Sequence, residues 1–138
     1  MELLLQSVDR AIDLLFHLHA ERDARGVSDI ARSLSLPKST VHRLLQTLVR
    51  RGLVEQDAAG RYAPGARLIA LGLGALERDP VVAVARSVLE DEARALGETV
   101  FLTAPRGGAM IVLDKAEGAG FLRAAPRLGE EVPLHATA

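Results

Sequence analysis

Cysteine is absent from the 138 residues, so neither a disulfide nor a thiolate metal site can form. Tryptophan is absent too, and the aromatic rings are limited to Phe16, Tyr62, Phe101 and Phe121. That is too few for a platform on which successive single-stranded bases stack. No stretch approaches the ~20 uncharged apolar residues of a membrane helix. The Leu3-Leu4-Leu5 run is short and soon interrupted by charge at Asp9 and Arg10, unlike a signal peptide. Neither sign of charge dominates, with 17 basic and 18 acidic residues. There is no internal repeat and no low-complexity tail. These absences lead us to expect a cytoplasmic protein with no membrane segment, no cofactor and no metal.

What is present is a local concentration of positive charge. From Lys38 to Arg67 six basic residues face two acids, a net +4, while from Leu68 onward seven face ten, a net −3. Within the basic segment, Val41, Leu44, Leu45, Leu48 and Val49 follow the i, i+3, i+4, i+7, i+8 spacing of one buried helical stripe. Ser39, Thr40, His42, Arg43, Gln46, Thr47 and Arg50 then share the opposite arc, which carries no acid. A short helix precedes it in the stretch that begins at Val27, and Pro37 suits the first turn of the second helix. Short helix, tight turn and basic second helix are the layout of a helix-turn-helix, whose second helix enters the major groove of DNA.

The side chains divide by chemistry. Arg43 and Gln46 can pair with guanine or adenine edges, whereas Ser39, Thr40, His42 and Thr47 are shorter readers or phosphate donors. Lys38 and Arg50 suit the backbone, and Ser28 at the start of the short helix joins the set. Arg51-Gly52 closes the recognition helix. Leu53–Asp57, Ala58-Ala59-Gly60 and Arg61–Pro64 then read as strand, turn and strand. Such a hairpin is the wing of a winged helix-turn-helix, with Arg61 either touching phosphate or simply exposed. The scarcity of aromatics favours duplex DNA over single strands or RNA.

The first helix is expected from Ser7 to Arg22. Asp9, Arg10, Asp13, His17 and Glu21 share one arc, and an apolar arc of about 200° faces the other way. Part of that arc packs on the helix-turn-helix; the rest goes to a second copy of the chain or under the downstream helices. His19 is expected at the core edge and His17 in solvent. Ala66–Arg78 leaves little polar face and should be enclosed by neighbours or by a partner chain. Asp79-Pro80 opens a further helix that ends at Gly97, with Glu90, Asp91, Glu92 and Arg94 outward. Thr99–Ala104 and Ala109–Lys115 form a hairpin, and Phe121–Ala125 is a third strand. Three strands and one helix make a poor independent core, so this half reads as part of a larger domain.

The residues from Leu36 to Leu48 (Leu36-Pro37-Lys38-Ser39-Thr40-Val41-His42-Arg43-Leu44-Leu45-Gln46-Thr47-Leu48), with Gly97-Glu98-Thr99-Val100, Leu113–Gly118 and Pro133-Leu134-His135-Ala136-Thr137-Ala138, carry a resemblance. In that order they resemble the IclR family of bacterial transcription regulators along the whole chain. The resemblance implies a mixed α/β (α+β) chain: a winged helix-turn-helix at 1–66, a linker helix at 67–79, and at 80–138 the first part of a GAF/PAS-like effector-binding domain. It also implies homodimers or dimers of dimers, operator DNA as partner, and a small organic or aromatic acid as effector. In relatives the chain continues past the final motif to complete the pocket. Thr137 and Ala138 match the first residues of the pocket's rim, so we expect a truncated sensor.

The expected function is a sequence-specific, double-stranded DNA-binding repressor or activator. A winged-helix module that pairs with a full-length relative is the alternative. An enzyme is not expected. His17 and His19 stand two apart, unlike an i, i+4 metal pair, and Gly72-Leu73-Gly74 is no nucleotide fingerprint. Asp114, Lys115 and Glu117 read as a strand-end charge cluster, and no nucleophile motif or phosphate loop accompanies them.

Overall fold

The computed structural model describes residues 5–106, 108–120 and 126–133, which divide into two units, Met1–Leu73 and Gly74–Ala138. In the first, α1 (Gln6–Ala20), α2 (Val27–Ser33) and α3 (Lys38–Arg50) precede the strands β1 (Val54–Gln56) and β2 (Tyr62–Pro64). Leu14 and Leu18 of α1, Ile30 and Ala31 of α2, and Val41, Leu45 and Leu48 of α3 form one buried cluster with Val54 and Tyr62. The expected stripe on α3 is therefore the one used: Val41, Leu45 and Leu48 are buried, and Leu44 and Val49 pack partly buried beside them.

The turn between α2 and α3 is closed by its backbone. The N–H of Leu36 donates to the carbonyl of Ala31 at 3.0 Å, and Ser35 takes a φ of 52°, a left-handed conformation at the helix end. Pro37 sits at the cap of α3, one residue before the helix, and its carbonyl accepts from Thr40 and Val41. Beyond α3 the chain reverses at Gly52, with φ 72°. Gly65 lies so close behind that a Cβ on it would fall 2.6 Å from the Gly52 carbonyl oxygen. Only a bare backbone fits there. The wing strands pair antiparallel with Glu55 opposite Ala63, and Arg25 joins β2 through an isolated bridge, exchanging two backbone hydrogen bonds with Tyr62 at 2.9 and 2.8 Å.

Helix α1 buries only half of its wide apolar arc. Leu14 and Leu18 go inside, while Leu5, Val8, Ile12 and Phe16 stay 72, 49, 43 and 68% exposed. The expectation for its histidines is reversed: His17 is half-buried and His19 is exposed. With Leu14 and Leu18 at the centre of the contact, His17 lies on the flank of the buried side and His19 falls among the uncovered apolar residues.

Helix α4 (Ala66–Glu77) begins in the first unit and ends in the second. Its Ile69, Leu71 and Leu73 are exposed, so among the described residues the neighbours do not enclose it as expected. In the second unit, α5 (Pro80–Leu96) starts where the Asp79 carboxylate accepts from the N–H of Val81 at 2.9 Å, and it ends at Gly97 in the left-handed region. Strands β3 (Val100–Arg106), β4 (Ala109–Ala116) and β5 (Glu131–Pro133) form an antiparallel sheet in that order, with a register shift at Leu102/Thr103. Leu89 and Ala93 of α5 pack on Ala116, Val100 and Leu102. The third strand of this sheet is Glu131–Pro133; the strand expected at Phe121–Ala125 lies outside the described residues, as do His135, Thr137 and Ala138.

Candidate nucleic-acid interface

The buried stripe of α3 determines what the helix presents outward. Lys38, Ser39, His42, Arg43, Gln46, Thr47 and Arg50 are exposed, and Thr40 is half-buried at the side. Ser28, in the first turn of α2, is half-buried. Thr40, His42, Arg43, Gln46, Thr47 and Arg50 line one open groove of about 1210 Å³ that runs over α3 between α1 and the wing. Lys38, Ser39, Ser28 and Arg61 are not among its lining residues. Thr47 spends its hydroxyl proton on its own helix, donating to the Arg43 carbonyl at 3.1 Å, so towards a ligand it offers an acceptor and a methyl group.

Charge on this surface is uncompensated. Among the described residues none of Lys38, Arg43 and Arg50 forms an ion pair, and Arg51 and Arg67 are exposed as well. Arg61 differs. Its guanidinium holds Asp57 at 2.8 Å, while the Asp57 carboxylate also accepts from the backbone N–H groups of Ala59 and Arg61, each at 2.9 Å. The Arg61 N–H, followed by its guanidinium, keeps the Asp57 carboxyl below the usual carboxylate range. Arg61 thus shapes the wing tip, and a phosphate would have to share it with Asp57.

The composition of the sequence did not point to three features here. Arg25, on a loop, joins the wing sheet and is held by Glu21, which raises its pKa. Gly65 permits the close return after the wing. Arg10 of α1 lines the same groove as the recognition side chains. The spacing of Glu21 and Arg25, four apart, was the one available signal for the first of these.

The strand-end cluster of the second unit is accounted for by ion pairs. Arg86 reaches from α5 to Glu90 at 2.8 Å, to Asp114 at 2.9 Å and to the Lys115 carbonyl at 3.1 Å; Lys115 itself pairs with Glu117 at 3.1 Å. Glu90 first and Asp114 next raise the Arg86 pKa. Among the described residues no group of three or more His, Asp or Glu side chains is placed to hold a metal ion, and no helix is long and apolar enough to cross a membrane.

A short helix, a turn, an amphipathic helix with a cationic outer side and a two-stranded hairpin define a winged helix-turn-helix module, here followed by a small α+β unit. Two family models match the chain in turn: the IclR helix-turn-helix domain over residues 7–58, and the bacterial transcriptional regulator IclR C-terminal over residues 73–138. The chain belongs to the IclR family.

It is 38% identical over 135 residues to the glycerol operon regulatory protein of Streptomyces coelicolor, covering 97% of this chain and 53% of that protein. With the HTH-type transcriptional regulator XynR of Escherichia coli it shares 31% identity over 136 residues, covering 98% of this chain and 54% of the relative. The crystal structure of an IclR transcriptional regulator from Alicyclobacillus acidocaldarius superposes with a TM-score of 0.78 at 30% identity, over 96% of this chain and 54% of that one. The chain spans about half the length of the curated relatives it matches. These relatives are transcriptional regulators and not enzymes.

Proposed function

We propose that the chain is a sequence-specific regulator of transcription that binds double-stranded operator DNA as a dimer or dimer of dimers, with α3 in the major groove. The observation that carries this reading is the outer face of α3, exposed, acid-free and, among the described residues, without ion pairs, on a helix whose other face closes the core. Arg43 and Gln46 read base edges, Ser39, Thr40, His42 and Thr47 make shorter contacts, and Lys38, Arg50 and Ser28 hold the backbone. Arg61 contributes at the wing beside Asp57. Leu5 at the cap of α1 and Phe16 on it, exposed and outside the groove, suit a second copy of the chain, which a two-fold symmetric site would require.

In this reading residues 1–66 bind DNA, 67–79 link, and 80–138 belong to an effector-binding domain that responds to a small organic or aromatic acid. Thr137 and Ala138 would stand on its rim. The protein works in the cytoplasm. Selection of bound duplexes from a random pool by the purified chain tests the reading directly. Recovery of one inverted-repeat motif is expected, and failure to enrich any duplex at low salt overturns it. On the recovered site Arg43→Ala should weaken binding by about 1–3 kcal/mol, measured by fluorescence anisotropy. Wild-type affinity in that variant would remove Arg43 from base readout.

A further inference from the structure

We infer that Arg10, on α1, is a phosphate-binding residue that clamps the DNA backbone across the groove from α3; the inference rests on the DNA-binding reading above. The sequence places Arg10 on the polar arc of a core helix, four residues before Leu14. Because Leu14 is fully buried, that turn of α1 is drawn against the rest of the unit, and Arg10 is half-buried instead of free in solvent. It lines the groove that Thr40, Arg43, Thr47 and Arg50 line from α3.

The charge inventory of this groove is one-sided. Arg10, Arg43 and Arg50 border it, and none of the described residues that line it is an Asp or Glu. Elsewhere in the same unit arginines sit with acids: Arg25 with Glu21, Arg32 with Asp29 at 3.3 Å, and Arg61 with Asp57. Arg10 has Asp9 and Asp13 on its own helix, yet among the described residues it forms neither an ion pair nor a side-chain hydrogen bond with them.

As a half-buried residue, Arg10 has lost part of its contact with water. With no ion pair to Asp9 or Asp13 among the described residues, it is open to an anion from outside. A groove walled by Ala11, Leu15 and Leu44 focuses the field of its three arginines. A phosphodiester strand is a row of such anions. With base edges facing the outer side of α3, Arg10 on the opposite wall meets backbone and not bases. Its contribution is therefore to affinity and register, and not to sequence preference.

The test is the salt dependence of binding to the selected duplex and to a scrambled one, followed by anisotropy between about 50 and 300 mM salt. Arg10→Gln should lower the magnitude of the log–log slope by about 0.9 on both duplexes, the loss of one phosphate contact. Both affinities should drop by a similar factor, of order tenfold at the low-salt end, with their ratio unchanged. Arg10→Lys should keep the wild-type slope. Arg10→Met retains the apolar stem and removes only the charge, so it gives the same reading should Gln loosen α1. A wild-type slope in Arg10→Met overturns the inference, as does a loss confined to the selected duplex. Absence of binding by the wild-type chain to either duplex would instead sink the DNA-binding reading itself.

Discussion

The two units spend their apolar residues differently. In Met1–Leu73, three helices and the wing meet in one cluster of nine buried residues, with seven more apolar side chains packed against it. In Gly74–Ala138, α5 contacts its sheet through Leu89 and Ala93, while Val81, Val84 and Val88 remain exposed. The contrast bears on how exposure is read. Where a core is closed, a polar face left outside has no packing duty, and the outer side of α3 is open to a functional interpretation. Where apolar residues are themselves outside, as on α5 and along part of α1, exposure of a polar side chain beside them does not by itself point to a ligand.

The sharpest way to break the contrast is to open the first core. Leu45 is fully buried at its centre, so Leu45→Ala should cost about 2–5 kcal/mol in chemical denaturation and take DNA binding with it. A loss under 1 kcal/mol would mean that the core is far looser than its burial indicates. Gly65→Ala comes next, at roughly 1–3 kcal/mol, because the new methyl would meet backbone and not a yielding side chain. An unchanged denaturation midpoint would show that the Gly52–Gly65 approach has room to spare.

The wing should respond to acid. Asp57 has its pKa lowered by the Arg61 N–H and then by the Arg61 guanidinium, so the stability it adds is complete above its unfolded value of about 3.9. That stability fades as pH falls through the lower folded value. The amide resonance of Arg61 should titrate below pH ~3.9, and Asp57→Asn should abolish that titration. A midpoint at or above the ordinary carboxylate value would contradict the turn geometry. The smallest effect is expected on α5: Val84→Ser, at a side chain 70% exposed, should change stability by no more than about 0.5 kcal/mol. A larger loss in solution would place Val84 in an interface.

Much of the first unit was legible because its signals are local. The stripe from Val41 to Val49 and the Ala58-Ala59-Gly60 turn between two strands each settle within a dozen residues; the structure follows them, with strands shorter than expected at Val54–Gln56 and Tyr62–Pro64. Asp79-Pro80 and Gly97 likewise bound α5 where their capping chemistry says they should. The candidate interface was legible for the same reason, since knowing the inner face of α3 identifies the outer one. Which arginines are paired was not legible. Arg10 and Arg61 each have a nearby acid in sequence, yet among the described residues Arg61 is paired and Arg10 is not, and no spacing rule separates the two.

The amino-acid order by itself determined the kind and extent of the main helices, the buried stripe of α3 and the acid-free side opposite it. These follow from backbone preference and a 3.6-residue period, which act over neighbouring residues. Tertiary structure alone decided which half of the wide apolar arc of α1 goes inside, putting His17 at the flank and His19 outside. It also joined Arg25 to the wing, pressed Gly65 against Gly52 and drew Arg10 to the groove. Each of those outcomes depends on atoms brought together from distant parts of the chain, and contact at a distance leaves no period in the sequence for a reader to find.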